Sequence, residues 1–171
     1  MAATRALAVT AVVALAVVLQ VGFFAHLDYN GVVPNLALLV VVSAALVRGP
    51  EFAAGLGFLT GLAIDLAPPS NHIAGRWALA LVVVGYLAGR VRHDAASSAV
   101  AAVIAVAASS FVGTSLFALS GMVLRDPGIS VGAALQVIPV ALVYDVLLTP
   151  FVLPLVMRVF RRLEPHQVAY G

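Results

Sequence analysis

Residues 6–25 read ALAVTAVVALAVVLQVGFFA, twenty consecutive positions without a charged side chain, directly after Arg5. A helix rising 1.5 Å per residue makes such a run about as long as the ~30 Å hydrocarbon core of a bilayer. A cleaved secretion signal is the competing reading. Its apolar stretch would be shorter, about 7–15 residues, and would end at a small-x-small site. This run continues through Gln20, Gly22 and Phe24 with no good cleavage site, so it reads as an uncleaved first membrane helix.

Five more apolar runs follow, at 32–47, 52–66, 77–91, 98–124 and 131–156. Polar turns separate them. The first spans His26, Asp28, Tyr29, Asn30 and Gly31, and Asn-Gly is a strong turn signal. Pro34 falls near the start of the second run, where a missing N–H does no harm. Arg48-Gly49-Pro50 reads as a tight turn in which Gly permits a positive φ and Pro opens the next helix. Asp65, Pro68 and Pro69 close the third run, and Pro139, Asp145, Pro150 and Pro154 interrupt the last. Strands are excluded because the runs are continuous, whereas barrel strands alternate apolar and polar residues. The expectation is an all-α, polytopic membrane helix bundle of about six transmembrane helices, in one integral membrane domain over 1–171.

Composition agrees. The chain is 63% hydrophobic and 9% charged, with a mean hydropathy of +1.13. A soluble domain carries about 25% charged residues, so there are too few here to coat a globule. Absence of cysteine excludes disulfides and thiolate metal sites, and a net charge of +2 does not suggest nucleic acid. With six spans, one side holds Arg5, Arg48, Arg90, Arg92, Arg158, Arg161 and Arg162, and the other only Arg76 and Arg125. The positive-inside rule then places both termini in the cytoplasm.

Two carboxylates stand inside apolar runs, Asp65 and Asp145. An Asp at a helix centre costs about 2.5–3.5 kcal/mol on insertion scales, so each is expected to be paired or protonated. Asp65 is placed to accept bonds from the loop before Gly75 and Arg76. A catalytic aspartyl dyad is the sharper reading, but each Asp stands alone among aliphatics, and a structural or ligand-contacting role is expected. Gly57 and Gly61, with Gly55 nearby, and Gly85 and Gly89 have the spacing that lets helix backbones approach closely. That spacing serves either internal packing or a partner helix. Trp77, Tyr86 and Tyr29 fit interfacial anchoring. The four His residues lack metal-ligand spacing, and no phosphate-binding, nucleophile-elbow or dinucleotide motif is present. No catalytic residue, metal or cofactor is expected.

The segments PNLALLVVV at 34–42, Arg48-Gly49, GLGFLTGLAID at 55–65, Gly75 and VGYLAG at 84–89 together resemble the rod shape-determining MreD family. The last two helices resemble it in hydropathy alone. The resemblance implies a non-enzymatic scaffold subunit of the peptidoglycan elongation machinery in the bacterial inner membrane. Its implied partners are MreC, RodA, a penicillin-binding transpeptidase and, indirectly, MreB, besides membrane lipids. It also implies a fold similar to the substrate-binding subunits of energy-coupling-factor vitamin transporters, so a small-molecule uptake subunit is the alternative. Such a subunit needs a polar outer pocket, for which the available groups are Asp28, Tyr29, Asn30, Ser70, Asn71, His72, Arg76 and Asp126. For the scaffold, the residues singled out for partner contact or structure are Pro34, Asn35, Arg48, Gly49, Gly55, Gly57, Gly61, Asp65, Gly85, Gly89 and Asp145. Residues 55–61 and Asp65 are the expected contacts for the membrane helix of MreC, with Arg48 holding the cytoplasmic turn in register.

Overall fold

A computed structural model describes residues 2–28, 31–68, 73–95, 98–126 and 129–163. Among these, seven α-helices are present: α1 Ala2–Val18, α2 Leu36–Arg48, α3 Pro50–Leu66, α4 Arg76–Arg90, α5 Arg92–Ala95, α6 Ala99–Val123 and α7 Val131–Arg162. The chain continues from α1 through a π turn, Leu19–Phe23, and a 3₁₀ turn, Phe24–Leu27. The segments Ala3–His26, Ala99–Val123 and Val131–Arg162 are long and apolar enough to cross a membrane.

The helices between them are shorter. At 1.5 Å per residue α2 is about 20 Å long, and α3 and α4 are about 22–25 Å. The expected second helix at 32–47 therefore begins late. Pro34 lies outside it, and Asn35 is its N-cap, with Oδ1 accepting from Leu38 N–H. The expected tail after 156 is helical to Arg162, so Arg158, Arg161 and Arg162 belong to α7. Pro139, Pro150 and Pro154 do not interrupt α7. All three lie on its exposed face, while Ala141, Asp145, Thr149, Leu153, Val156 and Phe160 form the buried stripe. The short α5 was not foreseen. Tyr29, Asn30, Pro69, Ser70, Asn71 and His72 lie outside the described residues.

The hydrophobic centre is α2, in which every residue from Leu36 to Leu46 is buried. It is surrounded by α1, α3, α4, α6 and α7. Its Arg48 end is closed by the expected turn. Gly49 has φ +91° and Pro50 opens α3. Arg48 lies over the Phe52 ring at 4.3 Å, Phe52 meets Phe160 edge-on at 6.2 Å, and the Gly49 Cα faces the Arg92 guanidinium.

The tightest pair is α3 with α4. The buried residues of α3, Ala53, Leu56, Gly57, Thr60, Gly61, Ile64 and Asp65, recur at alternating intervals of three and one, which is one face of a helix. A Cβ on Gly57 would overlap the Leu81 carbonyl, and one on Gly61 the backbone of Trp77 and Ala78. Reciprocally, Gly85 faces the Ala53 carbonyl and Gly89 the backbone of Pro50. In lipid no hydrophobic effect drives helices together, so this backbone proximity is what holds the pair. The face carrying Gly57 and Gly61 is thereby occupied by α4. Gly55, with nothing within 4 Å of a Cβ, lies on the outer face of α3.

Gly57→Leu and Gly61→Leu should each destabilise the purified protein by about 3 kcal/mol or more, because the obstacle is backbone rather than a movable side chain. Gly55→Leu should shift stability by less than about 0.5 kcal/mol. Unfolding in mixed detergent micelles measures both; equal effects at Gly55 and Gly57 would refute the assignment of faces.

Candidate functional site

A helix exposes four unpaired N–H groups at its start, and α2 starts inside the bundle. Three side chains from three different segments answer three of them. The Asp145 carboxylate accepts from Asn35 N–H at 2.8 Å, Gln20 Oε1 accepts from Ala37 N–H at 3.0 Å, and Asn35 Oδ1 accepts from Leu38 N–H at 2.9 Å. The Ser110 hydroxyl donates to the other Asp145 oxygen at 2.6 Å. Asp145 and Ser110 lie near the midpoints of α7 and α6, so the start of α2 is level with the middle of both long helices. Irregular backbone is tolerated at such depth only inside protein. Accordingly Val32, Pro34 and Asn35 are buried.

The second buried carboxylate does the same for α4. Asp65 accepts from Gly75 N–H at 2.8 Å, Trp77 N–H at 3.2 Å and Ala78 N–H at 3.1 Å. Negative charge at a helix start also complements the helix dipole. Each Asp is thus committed to a different helix N-terminus, which is not the arrangement of two carboxyls sharing one proton.

Beside Asp65, Arg76 is almost fully buried. Its guanidinium donates to Asp126 at 2.6 Å, to the Phe117 carbonyl at 2.7 Å and to the Ser120 hydroxyl at 3.4 Å, and lies 3.9 Å over the Phe117 ring. Trp77 stacks on the same ring at 4.6 Å. Room for the guanidinium comes from Gly121, where a Cβ would overlap it.

Because α2 reaches only part of the way along its neighbours, a cavity of about 470 Å³ opens beyond its N-terminus. Its walls come from the C-terminal ends of the first helical segment, α3 and α6 and the N-terminal parts of α4 and α7. They are mostly aliphatic and aromatic; among the described residues Gln20, Asn35 and Thr114 are the polar side chains besides the Trp77 indole.

The structure therefore brings Pro34, Asn35 and Asp145 together around the start of α2, and Asp65 with Gly75 at the start of α4. Arg48, Gly49 and Gly89 gather at the opposite end, while Gly57, Gly61 and Gly85 line the seam between α3 and α4. Sequence reasoning missed Gln20, Ser110 and the Arg76–Asp126 pair. Gln20 interrupts an otherwise apolar run, and that was the available signal. Ser110, in an Ala- and Ser-rich helix, gave none.

The two aspartates should respond differently to the same change. In Asp145→Asn one amide oxygen still accepts from Asn35 N–H, and the amide N–H₂ can donate to Ser110, whose hydroxyl rotates. In Asp65→Asn the amide N–H₂ faces backbone donors spread over both carboxylate oxygens. Asp65→Asn should therefore destabilise by about 2–3 kcal/mol and Asp145→Asn by less than about 1, while Asp145→Leu, which strands both donors, should cost about 2–4. Thermal or denaturant unfolding in detergent reads the order; an Asp145→Asn effect equal to Asp145→Leu would contradict it.

The sequence profile described as rod shape-determining protein MreD matches residues 2–162. No curated protein and no solved structure matches the chain. A match that runs from the first turn of α1 to the last residue of α7 takes in every element described above, and the chain belongs to the MreD family of rod shape-determining membrane proteins.

Proposed function

We propose that this chain is a non-enzymatic scaffold of the cell-wall elongation machinery, which docks MreC and cell-wall synthases through outward helix faces. Membership of the MreD family over 2–162 carries the reading. Two features of the chain support it. Both buried carboxylates serve helix starts, which gives them a structural task. The outward faces of the helices are apolar and continuous, with Leu7, Leu15 and Phe23 exposed on the first helical segment, Phe58 and Leu59 on α3, and Leu147 and Phe151 on α7.

An uptake subunit for a polar vitamin is the weaker alternative. Arg76 and Asp126 satisfy each other, Asp28 accepts from Gly31 N–H at 3.1 Å, and among the described residues no charged side chain lines the cavity. A six-span topology in a single domain of the inner membrane, with both termini cytoplasmic, completes the proposal. It puts the Arg48–Arg92 end of the bundle inside and the cavity end outside.

Within the glycine-rich segment, Gly55 is the position left for a partner helix, flanked on the outer face of α3 by Glu51, Phe58 and Leu59. Gly55→Leu should reduce co-purification of MreC at least fivefold without changing the thermal midpoint. Unchanged recovery of MreC would remove this face from the proposal. For topology, a fluorescent protein fused after the last residue should fluoresce, while alkaline phosphatase at the same place should be inactive. An active phosphatase would invert the orientation.

A further inference from the structure

Asn35 lines the cavity beyond α2, is 4% exposed, and its Nδ2 is buried without a hydrogen-bond partner among the described residues. The bond from Leu38 N–H to Oδ1 fixes which end of the amide is which, so the idle group is a donor. Gln20 lies on the same lining with its oxygen likewise committed to α2. A buried donor left idle in a native protein calls for an explanation, since nothing offsets its desolvation. A water needs two to four polar partners, and the walls here are mainly apolar. The volume of about 470 Å³ falls within the ~300–1,000 Å³ of small-molecule sites, which pair apolar walls with a few placed polar groups. A charged ligand is disfavoured, because among the described residues no charged side chain on the lining would offset its desolvation.

The geometry points to a ligand site: the cavity binds a neutral, chain-like apolar molecule that presents a carbonyl oxygen to the Asn35 carboxamide. The inference does not depend on the scaffold reading, since a docking subunit and an uptake subunit are both able to hold such a molecule. The chain's single tryptophan, Trp77, lines the same cavity and reports occupancy.

The test titrates the purified full chain with 12-bromo-2-dodecanone, whose bromine quenches tryptophan on contact, and with 1-bromododecane as the chain lacking the acceptor. The ketone should quench saturably and be displaced by untagged 2-dodecanone, and 1-bromododecane should bind about tenfold more weakly. Asn35→Ser keeps an N-cap for α2 but lacks the amide donor, and should weaken the ketone about tenfold while leaving 1-bromododecane unchanged. Ala134→Phe fills the cavity from α7 at a half-buried position and should abolish saturable quenching by both. The thermal midpoint of each variant shows that it is folded. Linear quenching untouched by Ala134→Phe would mean partition into detergent and would overturn the site. Equal binding of the two probes, or an Asn35→Ser loss shared by both, would overturn the acceptor contact.

Discussion

The buried start of α2 depends on the hydrogen bond from Asn35 N–H to Asp145. It joins the start of the central helix to the middle of the longest one, across 110 positions of sequence. Without an acceptor there, the first turn of α2 would present unpaired N–H groups to aliphatic side chains, at a cost of several kcal/mol in a medium without water. With it, a helix of 13 residues, shorter by itself than the bilayer core, can begin inside the bundle. The surrounding helices are held in register by the same atoms, because Gln20, Ser110 and Asp145 bring the first helical segment, α6 and α7 to one point.

Two different physical devices divide the interior. On the α2, α6 and α7 side, polar side chains meet buried helix ends and middles, and hydrogen bonds set the geometry. On the α3 and α4 side, glycines remove side chains altogether and backbone meets backbone. The two devices meet at the start of α4, where Asp65 caps the helix that Gly61 lets approach. Arg76 then ties that corner to α6 and to the turn carrying Asp126, so a cation at this end of the bundle is neutralised by a partner rather than by solvent.

How much of this was legible depended on whether the signal was local. Hydropathy located the helices because each apolar run is a property of consecutive residues, and Gly49-Pro50 announced its turn because φ +91° suits glycine. The shortening of α2 was not legible, since Val32 and Val33 are as apolar as the helix that follows. What starts the helix is Asn35 as a cap, and what makes that start tolerable is Asp145, far away in sequence. Proline misled in the opposite direction: three prolines in the last run suggested interruption, yet all point outward from an unbroken α7. The glycine spacing was read correctly as close approach, but spacing alone does not say whether the approaching backbone belongs to the same chain. Only the position of α4 settles that for Gly57 and Gly61.

A bundle organised in this way assigns opposite freedoms to its inside and its outside. Its interior is pinned by directional bonds and by backbone contact, both of which have a single satisfactory geometry. The outward faces are apolar side chains on continuous helices, where exchange of one aliphatic residue for another changes little in a lipid solvent. Constraint on the inside is thus compatible with a surface free to acquire complementarity to other membrane helices. The short α2 adds a consequence of its own: the volume it does not fill is lined by the helices that it holds together. The cavity and the helix framework therefore have one origin, and a change that let α2 start earlier, at the level of Val32, would fill the one while displacing the caps that build the other.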